Sequence, residues 1–184
     1  MKLTTIFFLV FAFCLLFFYR YPFWIKPKID TTDDKVYSPA FGRIMNIKKE
    51  DNGDYFIAIF LSPLDIHYQF APIAGKITDI QYDATGKFEL AYDLNKSRDN
   101  EKSIFTIENR HGQFKVYQIA GKLVRRISRF REVGEVVSTG QVLGLIHFGS
   151  RVDIIIPNRD DKFVPMVNVD ERVTMDTVLG YYSR

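Results

Sequence analysis

Three histidines, one cysteine and a Gly-Ser bond between two apolar runs are the residues of this 184-residue chain from which chemistry could be built. His67 stands in SPLDIHYQFAP, with Asp65 two positions before it. In an extended segment residues i and i+2 share a face, so the two could form a carboxylate-imidazole couple for proton transfer. The plainer reading is an exposed polar edge. His111, in NRHGQF, fits a turn ahead of Gly112. His147 opens IHFGSRVDIIIP, where Gly149 and Ser150 separate two apolar stretches. Glycine offers no side chain to hinder an approach, so the Ser150 hydroxyl could reach the Gly149 carbonyl. No Gly-x-Ser-x-Gly elbow surrounds that serine, which argues against an α/β-hydrolase. The histidines match no standard zinc or iron spacing, and the chain has neither a phosphate-binding loop nor a dinucleotide fingerprint. Cys14 is the only cysteine. A disulfide scaffold is excluded, and so is a thiol catalyst in the body of the chain.

The elements that must position these groups read as two unequal parts. Leu3 to Tyr19 carries no charge, and Tyr19, Tyr21 and Trp24 follow with Pro22 as a stop. This pattern predicts a membrane anchor over residues 1–29, one transmembrane helix that leaves the following domain on the cytoplasmic face. A signal peptide and a buried segment compete, although YRYPFW is a poor cleavage site. Four of the 25 basic residues precede Asp30, leaving 21 against all 22 acidic ones in residues 30–184. A nucleic-acid binder, which needs a concentrated positive surface, is thereby disfavoured. Short half-apolar runs follow: YFIAIFL, KITDIQY, SIFTIEN, QFKVYQI, QVLGLIHF and VDIIIP. They predict an all-β body, a mainly antiparallel barrel or sandwich. VGEVVSTGQVLG from Val133 and VDERVTMDTVLG from Val169 lie 36 residues apart and agree at six positions, which suggests two similar hairpins. SPAFGRIMNI, APIAGKITDI and YQIAGKLVRRI share a second phrase around Gly42, Gly75 and Gly121.

Taken together, SPAFGRI, IFLSPLDIHYQFAPIAGKI, GKFELAY, YQIAGKLVRRI and GLIHFGSRVDIIIP resemble the phosphatidylserine decarboxylase family in its short, membrane-associated form. The resemblance implies a proenzyme that cuts itself between Gly149 and Ser150. It also implies a pyruvoyl group derived from Ser150, at the head of a 35-residue α chain. Neither a metal nor pyridoxal phosphate is expected. The implied substrate is a phospholipid at a membrane, phosphatidylserine converted to phosphatidylethanolamine, and the implied partners are the two cleaved chains, with self-association left open. His67 corresponds to the family's proton-transfer histidine. Arg125 and Arg126, extended by Arg129 and Arg131, could bind phosphate or carboxylate, or could be a solvated pair. Two departures stand out: Phe41 replaces the aspartate of the family's SPADG, and Phe70 replaces an arginine. Asp65 could supply the missing carboxylate. The rival reading is an uncleaved, inactive homologue acting as a lipid-binding or assembly subunit. A biotin- or lipoyl-carrier module is a third reading, but no lysine stands in the turn of either valine-rich hairpin.

Overall fold

The computed structural model describes residues 3–22, 34–84, 86, 99–121, 126–147, 150–159 and 162–183. Its first element is α1 (Leu3–Phe18), 16 residues long. At about 1.5 Å per residue it is about 24 Å long, short of a hydrocarbon layer of about 30 Å. Among the described residues no helix is long and apolar enough to cross a membrane. That overturns the transmembrane helix, the single-pass topology with a cytoplasmic domain, and the membrane-associated form of the family. The run is apolar enough but ends early, because its last residues are engaged by the body of the protein. Phe18 is buried, and the Arg20 guanidinium donates to the carbonyls of Phe17 (2.5 Å) and Leu64 (2.6 Å). The expected boundary at residue 29 lies outside the described residues.

The body is β-structure, as the alternating runs predict. Its strands are β1 (Lys35–Tyr37), β2 (Gly42–Lys49), β3 (Tyr55–Leu61), β4 (Tyr68–Phe70), β5 (Gly75–Asp83), β6 (Lys102–Asn109) and β7 (Gly112–Ile119). They continue with β8 (Ile127–Arg129), β9 (Val136–Val137), β10 (Val142–Ile146), β11 (Ser150–Ile156), β12 (Phe163–Pro165), β13 (Arg172–Val173) and β14 (Val178–Tyr182). An eight-stranded antiparallel sheet runs β13-β2-β3-β11-β7-β6-β5-β9, flanked by the three-stranded sheets β1-β14-β12 and β4-β10-β8. Alternation along the central strands sends Ile57, Ile59, Leu61, Val116, Val152 and Ile154 into one core. On the opposite face of β11, Arg151 and Asp153 form an ion pair at 2.9 Å, with both side chains almost wholly buried. The Arg and Asp of FGSRVD are therefore braces of the sheet, since successive strand residues point to opposite faces.

The 36-residue repeat has a structural counterpart, but not as the two hairpins expected: β9 and β13 join the eight-stranded sheet, whereas β10 and β14, which follow them, join the three-stranded ones. Val137 of β9 pairs with Gly75 of β5, and Val173 of β13 pairs with Gly42 of β2. Ile77 and Ile44 occupy matching places, exchanging backbone hydrogen bonds with Gly134 and Glu135 in one copy and with Asp170 and Glu171 in the other. Gly134 (φ 97°) and Asp170 (φ 71°) are equivalent turn residues in the left-handed region, which glycine enters freely and aspartate tolerates. The turn geometry thus survives where the glycine does not. Of the third phrase, residues 122–125 lie outside the described set.

Candidate active site

Ser150 begins β11, where its register partner is Leu61, the last residue of β3. The chain leaving Leu61 turns through residues 62–67 to reach β4, and β4 pairs with β10, whose last residue precedes His147. Ser150 and His67 are thereby delivered to one end of the large sheet. Both are fully buried. Neither Ser150 Oγ nor His67 Nε2 has a hydrogen-bond partner among the described residues. A buried polar atom without a partner is costly in a merely structural role.

The expectation that Asp65 and His67 meet side chain to side chain on an extended segment is corrected. Residues 62–67 form a turn and β4 starts only at Tyr68. The Asp65 carboxylate accepts from the Ser62 backbone N–H and hydroxyl, both at 2.8 Å, and pairs with Arg172 at 2.5 Å. What reaches the imidazole is the Asp65 backbone carbonyl, 2.9 Å from His67 Nδ1. A carbonyl only accepts, so Nδ1 carries the proton. Burial is the main cause pushing the His67 pKa down to about 4; the Asp65 carbonyl and charge oppose it, and Arg20 and His147 add to it. The ring is therefore neutral at pH 7, with a bare lone pair on Nε2. That is the state a general base needs.

Around this pair lies a buried polar row that the sequence reading passed over. Gln69 donates to the His67 carbonyl (2.6 Å) and Gln118 donates to Gln69 (2.7 Å), linking β4 to β7 across the core. Gln118 is opposite Val152 and Ser103 in register, so both lie on the Ser150 face of the sheet. Their signal was the pair of YQ dipeptides in otherwise apolar strands, YQFA and YQIA. Gly144 makes room for this packing: a Cβ there would stand 2.7 Å from Gln118 Nε2 and 2.5 Å from the Ser128 carbonyl.

The remaining predicted residues divide. Gly149 and Arg125 lie outside the described residues. Arg126 is exposed, and its carbonyl accepts the His147 N–H at 2.9 Å. His147 is pushed below the ordinary imidazole value chiefly by burial and then by Arg126. His111 is the turn residue expected, stacked on Tyr182 at 3.9 Å. Phe41 and Phe70 meet edge to face at 6.0 Å and form a small apolar cluster with Ile66 and Met175. Among the described residues no group of three or more His, Cys, Asp or Glu could hold a metal ion. A cleft of about 720 Å³ between Arg110, Arg159 and Lys162 lies beyond the far end of β11, a strand about 20 Å long that begins at Ser150. Its lining includes His111 but not Ser150, His67, His147 or Arg126, so the site is placed by its buried polar atoms and not by the size of an opening.

Comparison with known proteins gives the family of the chain. The sequence profile of the phosphatidylserine decarboxylase family matches residues 14–181. A protein of Chlorobaculum parvum named phosphatidylserine decarboxylase proenzyme is 36% identical over 177 residues, which cover 94% of this chain and 78% of that protein. A protein of the same name from Streptomyces griseus is 37% identical over 142 residues, covering 77% of this chain and 65% of its own length. A third, from Pelodictyon phaeoclathratiforme, is 36% identical over 150 residues, 68% of its length. The chain thus spans between about two thirds and four fifths of these relatives. With a profile match over residues 14–181 and a relative 36% identical over 94% of its length, the chain belongs to the phosphatidylserine decarboxylase family.

Proposed function

We propose that the chain is a proenzyme that cuts itself between Gly149 and Ser150 and then, through a pyruvoyl group, decarboxylates phosphatidylserine to phosphatidylethanolamine. The observation that carries this reading is the buried, unpartnered pair of Ser150 Oγ and neutral His67 Nε2. In cleavage, His67 Nε2 takes the Ser150 proton as Oγ attacks the preceding carbonyl carbon. The C–O bond forms, the C–N bond breaks, and the freed nitrogen takes up a proton. Loss of the Ser150 α-proton then expels the upstream chain as a carboxylate, and water replaces the nitrogen, released as ammonia, to leave a ketone at residue 150.

The residues present fit such a group. Ser150 is wholly buried and its backbone is held by β3, so a ketone there is shielded from solvent. The pyruvoyl group supplies the electron sink for the pair left when the substrate loses carbon dioxide. His67 Nε2, once protonated, returns a proton to the substrate carbon. Phe18 covers the imidazole ring, and the Gln69–Gln118 bridge holds the His67 backbone carbonyl. Arg126 presents a cation at the exposed margin, beside His147, for a phosphate or carboxylate; Arg125 is assigned the same role from the sequence alone. Asp65 acts at a distance, holding the 62–67 turn whose carbonyl fixes the imidazole.

One observation favours a second reading, the uncleaved homologue. Phe41, at the position of the family aspartate, is packed in an apolar cluster and can neither take nor orient a proton. Intact-mass analysis of freshly expressed protein separates the two. Two chains are expected, the smaller of 35 residues and without a free α-amine, together with carbon dioxide released from carboxyl-labelled phosphatidylserine faster than from free serine. A single unmodified polypeptide overturns the enzyme reading in favour of the inactive relative.

A further inference from the structure

Four successive residues at the end of α1 each touch a different part of the β body. Phe18 is 4% exposed, and its ring centroid lies 4.3 Å from that of His67. The Tyr19 hydroxyl lies 3.0 Å from His147 Nδ1, and His147 Nε2 lies 3.0 Å from Ser128 Oγ. Arg20 donates to the Leu64 carbonyl, and Tyr21 meets the Tyr68 ring edge-on at 5.1 Å. The mechanism above uses the first of these contacts to cover the base. It leaves the second unexplained.

His147 is the last described residue before Ser150, directly after the end of β10. Its backbone N–H is fastened to the Arg126 carbonyl. A neutral imidazole donates at one nitrogen and accepts at the other, and a hydroxyl can do either, so both ring bonds form in either tautomer. The side chain is therefore gripped at both ends, by the helix segment on one side and by β8 on the other. We infer that Tyr19, acting through His147 and Ser128, is a positioning residue for self-cleavage, clamping the chain that leads into the scissile bond. Intramolecular attack depends on holding the reacting atoms in orientation, and a strand end free to swing would lose that advantage. The inference rests on the reading that the chain cuts itself between Gly149 and Ser150.

The test follows cleavage of the full chain by intact mass after rapid purification, in wild type, Tyr19→Phe, Ser128→Ala, the double variant and Tyr21→Phe. Tyr19→Phe and Ser128→Ala should each slow cleavage roughly fivefold, the loss expected for one hydrogen bond. The double variant should be little slower than either single one, because both open the same clamp. Tyr21→Phe keeps its ring contact and should cleave as wild type does. In the uncleavable Ser150→Ala background, Tyr19→Phe should move the ¹⁵N signals of the His147 ring and leave those of His67 in place, which a general loosening of the fold would not do. Wild-type cleavage with Tyr19→Phe equally fast overturns the clamp alone, as does a slowed variant whose His147 signals are unchanged. A wild-type chain that stays whole overturns the underlying reading and the clamp with it.

Discussion

The buried state of His67 makes the pH dependence of self-cleavage the sharpest available test. With a pKa of about 4, the imidazole is about nine tenths neutral at pH 5 and fully so at pH 7.5. An exposed histidine near 6.5 would be only about 3% neutral at pH 5. If His67 is the base, the cleavage rate should change by less than about twofold between pH 7.5 and 5, where an ordinary imidazole would lose about thirtyfold. The same burial has a cost to the fold. In the unfolded chain the imidazole takes up a proton as pH falls through 6.5, and the folded one does not until about 4. Stability is therefore flat above about 6.5 and declines below it, by about 3 kcal/mol once pH 4 is passed. The assay is a time course of intact mass at pH 5.0 to 7.5, with circular dichroism on the uncleavable Ser150→Ala chain marking where the fold is intact. Phe18→Ala, which bares one side of the ring, should raise the apparent pKa. A rate that titrates near pH 6.5 while the fold is intact would refute the assignment of a desolvated His67 as base.

Two further expectations concern the carboxylates. From sequence alone, Phe41→Asp is expected not to reduce cleavage, because it restores the family residue. That expectation holds only for a pocket that is otherwise intact, and Phe41 is 7% exposed and packed on Phe70, so the substitution loses its packing and buries an unpaired charge. A loss of roughly 3 kcal/mol or more in urea denaturation of the Ser150→Ala chain is expected, and unchanged stability would show that the cluster admits water. Asp65→Asn should lower stability by about 1–3 kcal/mol in the same measurement, because the carboxylate is 7% exposed and holds Ser62 and Arg172. It should slow cleavage and leave the rate flat between pH 5 and 7.5, since the Asp65 charge raises the His67 pKa and its loss lowers that pKa further.

Much of this molecule was legible in the residues. The short apolar, β-branched and aromatic runs YFIAIFL and VDIIIP marked β3 and β11, central strands with consecutive residues buried on both faces. The 36-residue repeat marked two similar strand-turn-strand units, whose first strands pair at Gly42 and Gly75, but not the two hairpins expected, because the two strands of each unit join different sheets. Ser150 and His67 could be singled out because FGSRVD and SP-x-x-x-H are specific in combination. Other features depended on what the chain meets in space. Whether Asp65 touches His67 turned on a single residue, the point at which β4 begins, and local sequence does not register that. Gln69 and Gln118 are 49 positions apart and meet only because β4 packs over β7, so neither strand alone reveals the bridge. The amino-terminal run is apolar enough for a membrane by composition. Its helix nevertheless ends at Phe18, because that side chain is buried against His67 and its neighbours bond to His147 and Leu64, contacts between residues more than forty positions apart.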